Sequence, residues 1–229
     1  MAAAIEVKNV VKSFQDTTVL HDVSVCFAPG QIHGLIGRNG SGKTVLMKCI
    51  CGFMRPTSGE ILVEGKRVGK DVDIPPNMGV IIEAPGFLPA YSGFKNLSLL
   101  AGIRRKIGKA EILDTLRRVG LDPESKKHVG KYSLGMRQRL GIAQAIMENP
   151  DILLLDEPMN GLDNRGVEDI RKLLLDLKAE GKTIVIASHS MEDIHFLCDT
   201  VHEMDAGVLT PCRQAWDGAL AEHAGDSKK

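Results

Sequence analysis

The sequence contains no run of about 18 apolar residues, so no segment is expected to span a membrane. Its start, MAAAIE, lacks the charged beginning and the long apolar core of a secretory signal peptide. The five cysteines are odd in number and form no CxxC pair, so we interpret them as core residues, or as residues without a specific role, in a reducing cytosol. Lysines plus arginines and aspartates plus glutamates number 29 each, so no nucleic-acid partner is expected. These absences together indicate a cytosolic protein.

The length of 229 residues suits one large domain, or one domain that carries a small inserted subdomain. Apolar strands alternate with amphipathic helices, except that residues 93–147 are helical in pattern, with breaks near 108, 120–123 and 130–133. Strands are predicted at 5–10, 19–25, 31–36, 61–65, 78–82, 151–155 and 183–187, with a hairpin near 200–210. Helices are predicted at 45–50, 164–180 and 190–198, and the tail 223–229 is predicted to be disordered.

Residues 37–44 read GRNGSGKT, which fits the phosphate-loop pattern between a strand and a helix. Its glycines let backbone amides turn inward around an anion, and the following helix adds the positive end of its dipole. Lys43 is expected to reach the β- and γ-phosphates, and the Thr44 hydroxyl to bind Mg²⁺. The chain is therefore predicted to bind a nucleoside triphosphate. The nucleotide-binding residues of this loop would be Gly37, Arg38, Asn39, Gly40, Ser41, Gly42, Lys43, Thr44 and Val45.

Two acids and a histidine follow apolar strands. Asp156 and Glu157 come directly after the strand at 151–155, and His189 follows the strand at 183–187. The carboxyl ends of parallel strands meet at one edge of a sheet, where ligands bind. Asp156 suits Mg²⁺, Glu157 suits the base that positions the attacking water, and His189 can bind a phosphate or that water. Taken singly, the acids could be solvated loop residues and the histidine structural.

A second helix start lies in the stretch KYSLGMRQRL at 131–140. Ser133 and Gly135 stand where the backbone amides of that helix are unpaired, so they can bind an anion. The same serine has a simpler interpretation as an N-cap of the helix. The residues alone leave both interpretations open.

This combination resembles the nucleotide-binding domain of ATP-binding-cassette (ABC) transporters over about residues 3–210. The stretch at 132–136 takes the place of the family's LSGGQ signature, Asp163 lies in the counterpart of the D-loop, and His189 matches the switch histidine. Phe14, on a predicted turn, takes the place of the aromatic residue that stacks on adenine. The resemblance implies an α/β fold of the P-loop NTPase type, with an N-terminal antiparallel β subdomain and an inserted α-helical subdomain at about 93–147.

The resemblance also implies a mechanism. Two domains pair head to tail with ATP and Mg²⁺ between them, and Ser133, Gly135 and Asp163 of one face the phosphate loop of the other. Glu157, His189 and Lys43 would be the catalytic residues of an ATPase. The second subunit would be an identical or a related chain. The pair would lie at the inner face of the membrane, bound to a separate permease that it powers.

The chain departs from the family pattern at four positions. Glu83 replaces a glutamine that touches Mg²⁺, and a carboxylate there can still bind the metal, as Thr44 and Asp156 would. Leu134 and Met136 replace the signature's glycine and glutamine, and Val45 replaces a second hydroxyl. Glu83 with the YSLGM stretch resembles the ATPases of bacteriocin, lantibiotic and bacitracin exporters. The cargo implied is a peptide antibiotic or similar amphiphile, exported for self-resistance.

Residues 83–94 contain several of the chain's few aromatics. In the family this region receives a helix of the permease, so we expect Phe87, Leu88 and Tyr91 to form part of a docking surface. The alternative is that they pack the helical insertion onto the sheet. Two other functions stay open at this point: an ABC ATPase without a permease, such as one serving iron–sulfur assembly, and a regulatory subunit with degraded hydrolysis.

Overall fold

Strands with almost every residue buried lie at the centre of the fold. The structure is a computed structural model that describes residues 3–83 and 86–212. The strands are β1 Ile5–Phe14, β2 Thr17–Phe27, β3 Ile32–Ile36, β4 Ser58–Val63, β5 Lys66–Arg67, β6 Met78–Ile81, β7 Ile152–Asp156, β8 Thr183–Ala187, β9 Thr200–Asp205 and β10 Val208–Pro211. The helices are α1 Lys43–Ile50, α2 Gly93–Arg104, α3 Lys109–Arg118, α4 Leu134–Ile146, α5 Asn164–Ala179 and α6 Met191–Leu197, with a 3₁₀ turn at Val129–Lys131.

The strands form two sheets. The larger has the order β10-β9-β3-β8-β7-β6, and its strands are parallel except for β10, which pairs antiparallel with β9. The smaller is antiparallel, with the order β2-β1-β4-β5. This confirms the predicted α/β class with an antiparallel β subdomain. The parallel order brings the carboxyl ends of β3, β6, β7 and β8 to one edge, where the candidate site lies.

The large sheet is covered on both faces, which explains the uninterrupted apolar runs of β7 and β8. On β7, Leu153 and Leu155 pack towards the helices of the insertion, whereas Ile152 and Leu154 pack towards α1 and the antiparallel sheet. Alternation of side chains along a strand sends successive residues to opposite faces. Side chains on both faces of β7 are therefore buried in hydrophobic cores. This packing fixes the position of the carboxyl end of the strand.

The helical insertion packs against the edge strand β6. Its helices break at residues 105–108 and 119–133, close to the predicted breaks. Gly79 of β6 lies directly under the carbonyl oxygen of Ala145 on α4, and a Cβ at this glycine would overlap that oxygen. The absence of a side chain at Gly79 therefore lets α4 pack closely against the sheet. This packing also positions the signature stretch, because α4 begins there.

Several predicted boundaries were wrong. β1 extends to residue 14 because it stays paired with β2 beyond several register shifts, and β2 extends to residue 27 because Phe27 pairs with Ile5. β4 begins at Ser58 because Ser58 pairs with Val11 of β1. Phe14 is the last residue of β1 rather than part of a turn. α1 begins at Lys43, two residues earlier than predicted. The predicted tail at 223–229 lies outside the described residues.

The cysteines are free thiols, and only some of them lie in the core. Cys49, Cys51 and Cys198 are buried in the core, whereas Cys26 is exposed and Cys212 is intermediate. Burial raises the pKa of Cys49 to about 11 and that of Cys198 to about 12, which keeps these thiols protonated and unreactive. Among the described residues no helix has the length and apolarity needed to cross a membrane.

Candidate nucleotide-binding site

The loop between β3 and α1 forms an open cradle at the carboxyl edge of the large sheet. Gly37, Gly40 and Gly42 have φ values of 148, 79 and 116°, which residues with a Cβ rarely adopt. Gly42 caps α1 without a side-chain hydrogen bond, so the first amides of the helix remain available to a ligand. The cradle is part of a cleft of about 430 Å³. The cleft is lined by Val19, Asn39, Gly40, Ser41, Gly42, Lys43, Thr44, Val45, Asp156 and Glu157.

Lys43 lies folded into the loop. Its Nζ donates hydrogen bonds to the carbonyl oxygens of Gly37 and Arg38 at 2.7 and 3.1 Å, and the residue is only 6 % exposed. The buried hydroxyl of Ser41 has no hydrogen-bond partner in the structure. A buried ammonium and an unpaired buried hydroxyl are costly unless a ligand completes their bonding. The loop is therefore suited to an anion.

Asp156 is joined to the loop by a short hydrogen bond. The Thr44 hydroxyl donates to Asp156 Oδ2 at 2.8 Å, which connects the first turn of α1 to the end of β7. Burial raises the pKa of Asp156 above its ordinary value, and the negative charges of Glu157 and Glu83 add to the rise. The hydrogen bond from Thr44 and the charge of Lys43 oppose it. A bound cation would favour the ionised carboxylate at this position.

Glu157 and His189 form a pair beside Asp156. His189 Nδ1 lies 2.9 Å from Glu157 Oε2, and the histidine side chain is 69 % exposed while that of the glutamate is 25 % exposed. The Glu157 amide donates to the carbonyl oxygen of Ala187 on β8 at 2.8 Å, and Glu157 itself adopts a left-handed conformation with φ 49°. The neighbouring strand thus holds the glutamate backbone, and His189 holds its carboxylate.

Glu83 lies at the end of β6, at the same edge of the sheet. Its Oε1 accepts a hydrogen bond from Lys48 Nζ of α1 at 2.6 Å. It is close enough to Asp156 for its charge to raise the pKa of that residue. Glu83 therefore belongs to the acidic group around Thr44, although in the structure its bonded partner is a lysine.

Three further predicted ligands of ATP lie at the starts of α4 and α5, away from the phosphate loop: Ser133, Gly135 and Asp163. Ser133 is the N-cap of α4 and accepts from the Met136 amide at 3.2 Å, and Asp163 caps α5 by accepting from the Gly166 amide at 2.9 Å. Gly135 faces the carbonyl oxygen of Gly161, so these two helix starts adjoin each other. None of the three lines the cleft around the phosphate loop.

Phe14 also lies outside the lining of the cleft. It ends β1 with 43 % of its surface exposed, and the Lys12 ammonium lies 4.9 Å from the centroid of its ring. An exposed ring face can receive a flat ligand, which is the property that stacking on a base requires. The sequence resemblance supplies the only indication of that role.

The donors present fit Mg²⁺ bound together with a phosphate ligand. Among residues 3–83 and 86–212 no cluster of three or more His, Cys, Asp or Glu side chains is arranged to bind a metal by itself. Mg²⁺ commonly takes one or two protein oxygens and completes its shell with phosphate and water. Thr44 and Asp156 supply such oxygens beside the cradle.

Two residues of this region were not predicted from the sequence. Gln138 of α4 donates from Nε2 to the carbonyl oxygens of Glu157 and Pro158, both at 3.1 Å, and so joins the helical insertion to the end of β7. Lys48 pairs with Glu83. The position of Lys48 one helical turn after Thr44 was the available signal, because residues four apart share a helix face.

The sequence model of one protein family, described as ABC transporter, matches residues 20–160, more than half of the chain. The chain belongs to the ABC transporter family. Its phosphate loop and the Asp156–Glu157 pair lie inside the matched region. Members of this family hydrolyse ATP, and the chain is accordingly an ABC-type ATPase.

Curated relatives cover nearly the whole chain. An uncharacterised ABC transporter ATP-binding protein of Bacillus subtilis (strain 168), YybJ, is 48 % identical, covering 90 % of this chain and 94 % of that protein. The bacitracin transport ATP-binding protein BcrA of Enterococcus faecalis is 41 % identical, covering 91 % and 68 %. The lantibiotic transport ATP-binding protein SrtF of Streptococcus pyogenes is 37 % identical, covering 94 % and 92 %.

Solved ABC cassettes share the fold. The dimeric structure of MJ0796, described as a bacterial ABC transporter cassette, has a TM-score of 0.81 at 25 % identity and covers 90 % of this chain and 96 % of that one. The structure of cbiO1 from Clostridium perfringens, part of the transporter complex cbiONQ, has a TM-score of 0.79 at 27 % identity, covering 92 % and 88 %. The ABC fold inferred from the sequence is confirmed.

Proposed function

We propose that this chain is the ATP-hydrolysing subunit of an exporter: it pairs with a second cassette around ATP and powers a separate membrane permease that removes a lantibiotic, a bacitracin-like peptide or a similar amphiphile. One observation carries the ATPase part of the proposal. Lys43, Thr44, Asp156, Glu157 and His189 come from three separate segments and meet at one sheet edge. The peptide cargo is supported by relatives named for bacitracin and lantibiotic transport.

The chemistry follows from the positions of these groups. The Glu157 carboxylate orients a water molecule and accepts its proton, and the water oxygen bonds to the γ-phosphorus as the bond to the β–γ bridging oxygen breaks. His189 keeps the Glu157 side chain in place. Lys43 and the loop amides stabilise the charge on the phosphate oxygens. Mg²⁺ would be held by Thr44, Asp156 and Glu83, and it would supply positive charge beside the phosphates.

A second cassette would complete the site. Ser133, Gly135 and Asp163 lie apart from the cleft of their own chain, so their proposed contacts with ATP need the cleft of a partner. Such a pair would exclude water from the nucleotide and place both sites between the subunits. Phe14, exposed at the end of β1, would stack on adenine. The whole cassette, residues 1–229, would act as one domain that carries the helical insertion.

Pairing predicts that hydrolysis depends on protein concentration. We expect the turnover per subunit to rise over about a hundredfold range of protein concentration and then level off, because a monomer binds ATP but lacks the partner's Ser133. The measurement is phosphate release with Mg²⁺ and ATP, paired with light scattering to report the oligomeric state. High turnover that is independent of concentration in a verified monomer would refute the pairing.

An apolar groove supports the permease part of the proposal. It has a volume of about 300 Å³ and lies between the end of α1, the edge strand β6, α2 and α4. Phe53, Ile74 and Ile103 line it and are 60, 57 and 76 % exposed. Large apolar side chains clustered at a surface mark interaction sites. In the segment expected to dock, Leu88 is exposed as well, whereas Phe87 is partly buried against the core.

Introducing a charged residue into this groove is expected to weaken binding of the membrane partner. We expect Phe53→Glu and Ile103→Glu each to reduce, by about tenfold or more, the amount of polytopic membrane protein that co-purifies with the tagged chain from detergent-solubilised membranes of its source cells. Val208→Glu is the matched control, because Val208 is 47 % exposed on β10, away from the groove. Equal recovery with all three variants would remove the groove from the docking surface.

A further inference from the structure

Two side chains on one face of α1 donate hydrogen bonds to two acidic residues at the carboxyl edge of the large sheet. Thr44 and Lys48 are four residues apart, so their side chains lie on the same face of the helix. The Thr44 hydroxyl donates to Asp156 at the end of β7, and Lys48 Nζ donates to Glu83 at the end of β6 at 2.6 Å. One helix thus binds the ends of two neighbouring strands, with a hydroxyl on one and an ammonium on the other.

The register of the strands places Glu83 beside the catalytic acids. β6 and β7 are parallel, and Ile81 is opposite Leu155. Glu83 comes two residues after Ile81, as Glu157 comes two residues after Leu155. Glu83 also adopts a left-handed backbone conformation, with φ 61°, which is uncommon for a residue with a side chain. Three carboxylates therefore adjoin a cleft that has to accept the negative charges of a triphosphate.

The Lys48–Glu83 pair contributes little to stability by itself. The Glu83 side chain is 64 % exposed and that of Lys48 is 25 % exposed, and exposed ion pairs are worth little. Its effect on the local charge is larger, because Lys43 is already bonded within the phosphate loop and Lys48 is the other cation of α1. Without Lys48, the charge of Glu83 would act on the cleft without compensation.

We propose that Lys48 is a positioning residue of the nucleotide site: it holds Glu83 at the end of β6 and cancels its charge, and so sets how strongly ATP binding depends on Mg²⁺. The proposal rests on the ATP-binding function above and adds a residue to it. An uncompensated Glu83 repels the free triphosphate, whereas the same carboxylate attracts a divalent cation. The two effects act in opposite directions on binding without and with the metal.

The test compares nucleotide affinity in the two conditions. A fluorescent ATP analogue is titrated into the purified chain at low ionic strength, once with EDTA and once with saturating Mg²⁺. For Lys48→Met we expect the ratio of Kd in EDTA to Kd in Mg²⁺ to rise about three- to tenfold, the size of effect that one charge near a partly exposed site produces. Lys48→Arg should keep the wild-type ratio, because it keeps the charge.

Coupling to Glu83 distinguishes this role from general damage. In Lys48→Met/Glu83→Gln the ratio should fall from the Lys48→Met value to the wild-type value or below it, since the uncompensated carboxylate is gone and Glu83 can no longer offer an oxygen to Mg²⁺. Lys66→Met, on the exposed strand β5, is the control for loss of a lysine, and thermal unfolding of each variant checks the fold. An unchanged ratio in Lys48→Met, or the same rise in the double variant, overturns the proposal. If the wild-type chain binds no nucleotide at all, the nucleotide site assigned under the proposed function fails instead.

Discussion

Replacing Glu157 by glutamine is expected to lower ATP hydrolysis by about 10²–10⁴-fold, the range that general bases contribute, while ATP binding is retained. Glutamine has nearly the same shape and can still bond to His189, so the backbone link from the Glu157 amide to Ala187 remains. What is lost is the carboxylate that accepts the proton of the attacking water. The phosphate loop, with Lys43 and Thr44, is untouched.

Single-turnover and steady-state phosphate release measure this loss, and a fluorescent nucleotide measures the binding. Glu180→Gln provides a matched control, because Glu180 is an exposed carboxylate at the end of α5 that pairs with Arg118. Hydrolysis by Glu157→Gln within about threefold of the wild type would assign the base to another residue. Loss of nucleotide binding would show that the glutamate acts in binding.

Ser133→Asp is expected to lower turnover by about 10²-fold or more, since it replaces a donor to phosphate by a like charge. The substitution keeps the fold, because aspartate caps a helix as well as serine does and can still accept from the Met136 amide. Ser133→Asn is the paired control: it keeps the cap and adds no charge. We expect turnover of the asparagine variant to stay within about tenfold of the wild type.

Mixing two inactive variants tests whether Ser133 acts on the partner's nucleotide. In a mixed dimer of Ser133→Asp and Glu157→Gln, one site combines an intact Glu157 with an intact Ser133 from the other chain. An equal mixture should therefore regain about a quarter of the wild-type turnover, because half of the dimers are mixed and one of their two sites is intact. No recovery in a mixture shown to contain mixed dimers would mean that Ser133 acts within its own chain.

Local sequence patterns were enough to predict the phosphate loop and the central strands of this protein. The glycines at 37, 40 and 42 need backbone conformations that few other residues adopt, so the phosphate loop could be identified from spacing alone. The strands β7 and β8 could be predicted because they are buried on both faces and are therefore continuously apolar. The ABC family followed from the order of these motifs, and the relatives confirm it.

Only the tertiary structure decided which distant residues meet. The pairing of Lys48 with Glu83 and the contact of Gln138 with the Glu157 carbonyl oxygen join segments 35 and 19 residues apart. Such contacts depend on the order of strands in the sheet and on how closely α4 approaches β6 at Gly79. The lengths of β1 and β2 depend in the same way on pairing across the sheet. Hydrophobic periodicity and glycine spacing are local properties of the chain, whereas strand order and side-chain partners result from packing of the whole domain.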